Sequence, residues 1–568
     1  MILSALLTSV GINLGLCFLF FTLYSILRKQ PNNFIVYASR LVGKTKSEET
    51  HDFNLERLVP TPGWVKRAWE PSEEELLSTL GLDAVVFIRI FIFRSGVIEF
   101  GQYSSLFLVV NINLETFLQF WDFLRLWVHF CAAYVFTGVV CYLLHYEYSY
   151  ISSKRVSYFY SSKPEPHQFT IAVRSIPVSS GSSVSEIVEN FFKEYHHSTY
   201  LSHSVVRRTN KIQELINETD KLYRRLVFLK SSKDSQQTFK REGFLGLFGR
   251  KVNLLDHFEK KLEHLQDNVR MEQSSLAGKE IPAAFVSFKS RLGAAIALNI
   301  QQGTNPTEWV TEEAPKPQEV YWPFFSASFM KRWICNLVVV VAYIALTILF
   351  LIPVVIVQGL THLEQLETWL PFLKDLLRLT FVSQVITGYL PSLILQLFLS
   401  FVPPIMILFT SIQGFISFSQ IEKSACNKVW WFTVWNIFFA NVLSGTALYQ
   451  VSVFLEPKSI PKVLAQGVPG QASFFIAYVV TSGWTSLSSE LLRLMPLLSS
   501  YCSWLCSKII EEFEVPSFPY HSEIPRILFF GLLGVTYFFL APLILPFLLV
   551  YYCMGYIIYR NQVTGMPF

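Results

Sequence analysis

Residues 471–493 read QASFFIAYVVTSGWTSLSSELLR, and this stretch decides the fold. About 20 largely apolar residues suffice to cross a bilayer as a helix. Within the run, Gln471, Tyr478, Thr485 and Ser489 recur at helical spacings, which predicts one shared polar face. A polar face surrounded by lipid must meet protein or water. Glu490 sharpens the point, because an ionisable side chain in or beside a span signals function. Two readings are open for it: an ion pair with Arg493, or a pore carboxylate that attracts cations. At ~4 Å that attraction is about 1 kcal/mol in water-like surroundings and about 4 in a protein-like dielectric, enough to enrich cations without trapping them. Gly483 interrupts the same helix and marks either a hinge or a close contact.

The neighbouring runs repeat the pattern. Gln384, Thr387 and Gln396 fall in the candidate span 376–412, and Asn436, Asn441, Ser444 and Thr446 in 429–454. Interhelical hydrogen bonds account for many such residues in membrane helices. Further candidate spans are 334–357, 472–498 and 527–559. The last is about 50 Å long as one helix, and Pro542 and Pro546 predict a break into a hairpin. Lys423, Lys428, Arg493, Lys508 and Arg526 then fall in intracellular loops, as the positive-inside rule expects.

Composition agrees with a bilayer as solvent. Of 568 residues, 51% are hydrophobic and 16% charged, with a mean hydropathy of +0.37. Soluble domains carry roughly 25% charged residues. A net charge of +5 is too mild to point to nucleic acid. The eight cysteines are scattered, and Cys502 and Cys506 lack the further ligands a zinc site needs. No hydrolase, nucleotide-binding or metalloprotease motif occurs, so no enzyme activity, cofactor or metal is expected.

Towards the amino terminus, residues 2–27 form a first span followed by Arg28 and Lys29. Residues 29–82 read as a cytosolic linker. The segment 83–112 is a poor span, because Arg89, Arg94 and Glu99 interrupt it, whereas 121–146 is a convincing one. Residues 152–323 are a soluble insert whose strand–helix–strand order, repeated around a charged helical insertion, predicts a ferredoxin-like or RRM-like module. Its third strand keeps Phe285 and Phe288 but has Pro282 and Ala283 where the RNA-binding signature starts with a basic residue and glycine. The strand is therefore read as core. Phe244, Leu245, Leu247 and Phe248, framed by Lys240, Arg241, Arg250 and Lys251, suit either an interfacial membrane contact or packing on their own domain. The sequon at Asn217 faces the cytosol in this topology.

Several blocks, in order, resemble the plant OSCA family of hyperosmolality-gated, calcium-permeable stress-gated cation channels. They are YSSKPEPHQFTI (160–171), AFVSFKSR (284–291), YWPFF (321–325), ITGYLP (386–391), SACNK (424–428), QASFFIAY (471–478) and LAPLILP (540–546). The resemblance covers nearly the whole chain. It implies an α-helical polytopic membrane protein of anoctamin-like fold with an α+β, RRM-like cytosolic domain. It further implies a pore within each protomer, gating by membrane tension, and dimerisation through the cytosolic domain. Glu490 matches the family's acidic pore residue, Gly483 the glycine of that helix, and Phe244 to Phe248 the loop that dips into the inner leaflet. The expected plan is a first helix at 1–28, a linker at 29–82 and two spans at 83–150. A cytosolic domain at 151–331, a pore-forming region at 332–562 and a tail at 563–568 complete it. Two departures stand out: the charged segment 93–120, and an end at Phe568 where family members continue into two further helices.

The expected function is a mechanically or osmotically gated, non-selective cation channel passing Ca²⁺, K⁺ and Na⁺. Alternatives are a phospholipid scramblase using the same groove and a non-conducting, shortened regulatory subunit. Expected pore-lining residues are Gln384, Gln396, Asn436, Asn441, Gln471, Tyr478, Thr485, Ser489 and Glu490, with Gly483 as the hinge. Expected partners are membrane lipids and a second copy of the chain, without nucleic acid. The expected location is the plasma membrane, with an endomembrane as the alternative.

Overall fold

The computed structural model describes residues 3–30, 33–37, 59–115, 122–178, 181–231, 239–241, 251–275, 280–360, 379–442, 458, 465, 467–494, 496–498 and 518–565. Among them, five helices are long and apolar enough to cross a bilayer: Ser4–Leu27, Phe130–Ser161, Phe329–Val357, Thr380–Ile412 and Tyr520–Leu540. Their outward faces carry large apolar side chains such as Phe18, Tyr134, Val341 and Leu397, all exposed. Such exposure suits lipid rather than water.

Proline sets the breaks. Thr380–Ile412 is three helical segments, interrupted at Tyr389 and Phe401, with Pro391 and Pro403 opening the next turn each time. A proline lacks the N–H that would continue the ladder. Near Pro542 the chain likewise turns between helices Tyr520–Leu540 and Ile544–Gly565.

The charged second segment is one continuous helix, Leu82–Glu115. Arg89 is held by Glu147 at 2.5 Å and Glu73 at 2.9 Å, and its guanidinium lies 3.9 Å from the Tyr150 ring centre. The charge that spoils the hydropathy is thus matched by neighbours. Residues 59–82 are more than a linker. They form helices Gly63–Trp69 and Glu73–Leu80. Trp64 is buried against Phe21 and Tyr24, and Arg560 donates to the Trp69 and Pro71 carbonyls.

Among the described residues, the insert has six strands: β1 Thr170–Arg174, β2 Tyr200–Arg207, β3 Phe239–Arg241, β4 Lys251–Asn253, β5 Glu280–Phe288 and β6 Val310–Glu313. Four form an antiparallel sheet in the order β2-β5-β1-β6, and β3 pairs with β4. Helix Val184–Tyr195, opened by a Ser183–Glu186 capping box, joins β1 to β2, and helix Arg291–Asn299 joins β5 to β6. One sheet face buries Val188, Phe192, Val286, Phe288 and Trp309. The other, carrying Ala172, Ala283 and Phe285, docks on Val320, Phe325 and Ile416. Ile416 lies between two membrane helices, so this face is the seam to the membrane region. A backbone bridge between Val320 and Ser417, and Arg174 donating to the Gly414 carbonyl at 3.2 Å, lock the seam. Helices Asn210–Ser231 and Leu254–Ser274 make the insertion between β2 and β5. Phe244, Leu245, Leu247 and Phe248, like Ser444, Thr446, Cys502 and Cys506, lie outside the described residues.

Candidate functional site: a polar cavity among the membrane helices

The stretch that opened the sequence reading is a continuous helix over 472–490 with an irregular middle. Ala472–Tyr478 and Ser486–Glu490 are α-helical, and Val479–Thr485 between them is π-helical. A second π segment, Val434–Phe439, continues helix Phe418–Thr433. Single π turns are rare and recur at functional sites.

The π segment changes which residues share a face. Wider turns keep Tyr478, Ser482, Ser486 and Glu490, each four apart, on one side, where they line a cavity of about 330 Å³. Gln396, His521, Glu523 and Arg526 add polar groups to its wall, beside Pro403 and Pro404. Thr481 and Thr485 turn instead to the amino-terminal helix Leu3–Leu27. Asn13 there donates to Thr481 at 3.3 Å and accepts from Thr485 at 2.5 Å, and Ser392 donates to Thr481 at 3.2 Å. The single face expected from regular α-helical spacing is therefore split in two.

Of the nine expected lining residues, Gln396, Tyr478 and Glu490 meet at this cavity. The remaining six stand elsewhere. Gln384 accepts from Thr8 at 2.9 Å, and Asn436 and Asn441 are buried and bond carbonyls of their own helix. Thr485 faces Asn13, Ser489 donates to the Ser486 carbonyl, and Gln471 sits at the start of its helix, away from the cavity.

The charges around the cavity are unevenly matched. Arg493 does not pair with Glu490; its backbone takes a left-handed turn and its guanidinium donates to the Val36 carbonyl at 3.1 Å. Glu523 is buried, 3.0 Å from Arg526, and accepts from the Tyr559 hydroxyl. Arg526 also donates to Ser486 at 3.1 Å. The Glu490 carboxylate has no ion-pair partner among the described residues. Two carboxylates therefore face one guanidinium across the cavity, whose wall also carries His521.

Arg526 is a correction to the sequence reading, which put it in a loop. It belongs to helix Tyr520–Leu540, as Lys428 belongs to Phe418–Thr433. Sequence reasoning also missed Asn13, Ser486 and Glu523. The Glu523–Arg526 spacing of three, ahead of an apolar run, was the available signal.

Away from the cavity, towards the opposite end of the helix, the space closes. Phe438 and Phe475 stack at 5.9 Å, Phe475 contacts Tyr537 at 5.5 Å, and all three are buried. Gly483 lies in the π segment where a Cβ would stand 3.0 Å from Tyr551 and 3.4 Å from Phe530. Its position is a close contact between helices. Among the described residues no cluster of three His, Cys, Asp or Glu side chains is placed to hold a metal.

Three family models match the chain in order. They are described as "Late exocytosis, associated with Golgi transport" over residues 5–147, "Cytosolic domain of 10TM putative phosphate transporter" over 168–324, and "Calcium-dependent channel, 7TM region, putative phosphate" over 335–566. Among curated relatives, hyperosmolality-gated Ca²⁺ permeable channel 2.3 of Arabidopsis thaliana is 62% identical over 587 residues, covering 100% of this chain and 84% of the relative. Channel 2.1 of the same plant is 40% identical across 99% of this chain and 78% of its own, and channel 1.5 is 35% identical across 99% and 80%. These relatives are named as channels, not enzymes. The chain is a multi-pass membrane protein, and it belongs to the OSCA family of hyperosmolality-gated Ca²⁺ permeable channels.

Proposed function

We propose that the chain is a Ca²⁺-permeable, non-selective cation channel gated by membrane tension or osmotic stress, with a pore inside each protomer. The observation that carries this is the Glu490 carboxylate, without an ion-pair partner among the described residues, on a polar cavity among membrane helices. A carboxylate ring or wall draws cations into a low-dielectric path without coordinating them tightly. The aromatic closure at Phe438 and Phe475 is the constriction that tension must open. The π segment, with Gly483 in its middle, is the element that rearranges, because a π turn can relax to α-helix by shifting one residue. Gln396, Tyr478, Ser486 and Glu490 are the proposed lining of the path, while Gln384, Asn436, Asn441, Gln471, Thr485 and Ser489, which stand elsewhere, are left out of it.

The antiparallel sheet with two connecting helices supports an RRM-like reading of the cytosolic domain. Dimerisation through that domain, the membrane contact of Phe244 to Phe248, and residence in the plasma membrane belong to the same proposal. The test is stretch-evoked current from the purified chain in liposomes, beside a fluorescent-lipid scrambling assay. Cation current with no lipid transfer supports the channel. Lipid transfer without current supports a scramblase, and silence in both supports a regulatory subunit.

A further inference from the structure

On the far side of helix Phe418–Thr433 from the cavity lies a second concavity, a groove of about 480 Å³ against helix Phe329–Leu349. Its two ends differ in chemistry. One end presents Ser424, Asn427 and Lys428. The other presents Ile344, Ile348, Trp431 and Trp435, all more than half exposed. Positions 424, 428, 431 and 435 follow one helical stripe, so polarity falls steadily along the groove. The polar end is the one nearer the seam with the extramembrane domain, since helix Phe418–Thr433 begins beside the Val320–Ser417 bridge.

Lys428 is built into this end. Its ammonium donates to Ser424 at 2.7 Å, to Gln413 at 2.8 Å and to Thr410 at 3.4 Å. All three acceptors are neutral, and among the described residues no carboxylate lies within ion-pair distance. Tyr343 ties the two helices together by donating to the Lys428 carbonyl at 3.3 Å. A half-buried cation held by three neutral oxygens, with no counter-charge among the described residues and an apolar groove beside it, suits an anion carrying a hydrocarbon tail.

We infer that this groove is a binding site for an anionic glycerophospholipid of the cytosolic leaflet. The phosphate meets Lys428, Ser424 and Asn427, and one acyl chain runs along Ile344, Ile348 and the two tryptophans. An anionic headgroup is favoured over a zwitterionic one because the described wall offers no carboxylate to receive a second, positive headgroup charge. The inference does not rest on the channel reading, since it concerns a different face of the helix.

The test uses the full chain in detergent with equimolar phosphatidylglycerol and phosphatidylcholine, and reads retained lipid by native mass spectrometry. The parent chain is expected to retain phosphatidylglycerol about fivefold better. Lys428→Gln should erase that preference and Lys428→Arg should keep it. Ile344→Trp, which fills the apolar end and leaves the charge, should lower retention of both lipids. Thermal unfolding of each variant shows that it is folded. Equal retention of the two lipids by the parent, an unchanged preference in folded Lys428→Gln, or undiminished retention of both lipids by folded Ile344→Trp overturns the site.

Discussion

Arg526 Nη2 lies 3.0 Å from Glu523 Oε1, and this pairing leaves Glu490 as the unneutralised carboxylate of the cavity among the described residues. The two acids thus have different jobs. Glu523, buried and bound to Arg526 on its own helix and to Tyr559 on the next, holds two helices in register. In the proposed pore, Glu490 supplies the field that draws cations in. Glu490→Gln should reduce unit conductance and cation-over-anion preference by about two- to fivefold, as expected for losing roughly 1 kcal/mol of attraction. Single-channel recording in asymmetric salt reads both.

Breaking the buried pair should act on folding. Glu523→Gln takes the paired carboxylate from the part-buried Arg526 and leaves Glu490 as the acid facing it, a loss of about 1.5–3 kcal/mol. The double variant Glu523→Gln/Arg526→Gln should recover part of it. Thermal unfolding in one detergent compares the three chains.

Gly483 allows Tyr551 and Phe530 to close on the π segment. Gly483→Ala forces a methyl group into a 3.0 Å contact, and overpacking of this kind costs about 1–3 kcal/mol. Tyr551→Leu in the same chain should relieve most of it. In patch recordings Gly483→Ala should shift the tension for half-maximal opening, and the second substitution should move it back.

Arg89 joins three helices through Glu73 and Glu147. Arg89→Gln should destabilise the chain by about 3 kcal/mol, because two partly buried carboxylates lose their partner. The exchange Arg89→Glu/Glu147→Arg should restore part of the loss, again read by thermal unfolding.

Much of this architecture is legible without coordinates. The apolar runs around 2–27, 334–357 and 376–412 have the length and composition that lipid demands, and the strand and helix order of the insert can be read from periodicity. Glu490 stands out because acids are rare beside a span. The misreadings have physical causes. Hydropathy averages Arg89 as a defect, while the structure matches it with acids 16 residues before and 58 after. Periodicity assumes a regular α-helix, so the π turns of Val479–Thr485 moved Thr485 off the expected face and brought Ser486 onto it. Asn13 was invisible as a partner because nothing in its own helix shows that Thr481 and Thr485, more than 460 residues away, come to meet it.

The most direct measurement sets two adjacent positions against each other. Ser486→Cys and Thr485→Cys chains, in liposomes under tension, are exposed to a hydrophilic, membrane-impermeant thiol reagent. With Ser486 on the water-filled side and Thr485 against Asn13, position 486 should react and its modification should reduce the current, as should Glu490→Cys. If 486 and 490 stay unreactive with tension applied, or if 485 reacts as fast as 486, no aqueous path follows this face and the central claim is wrong.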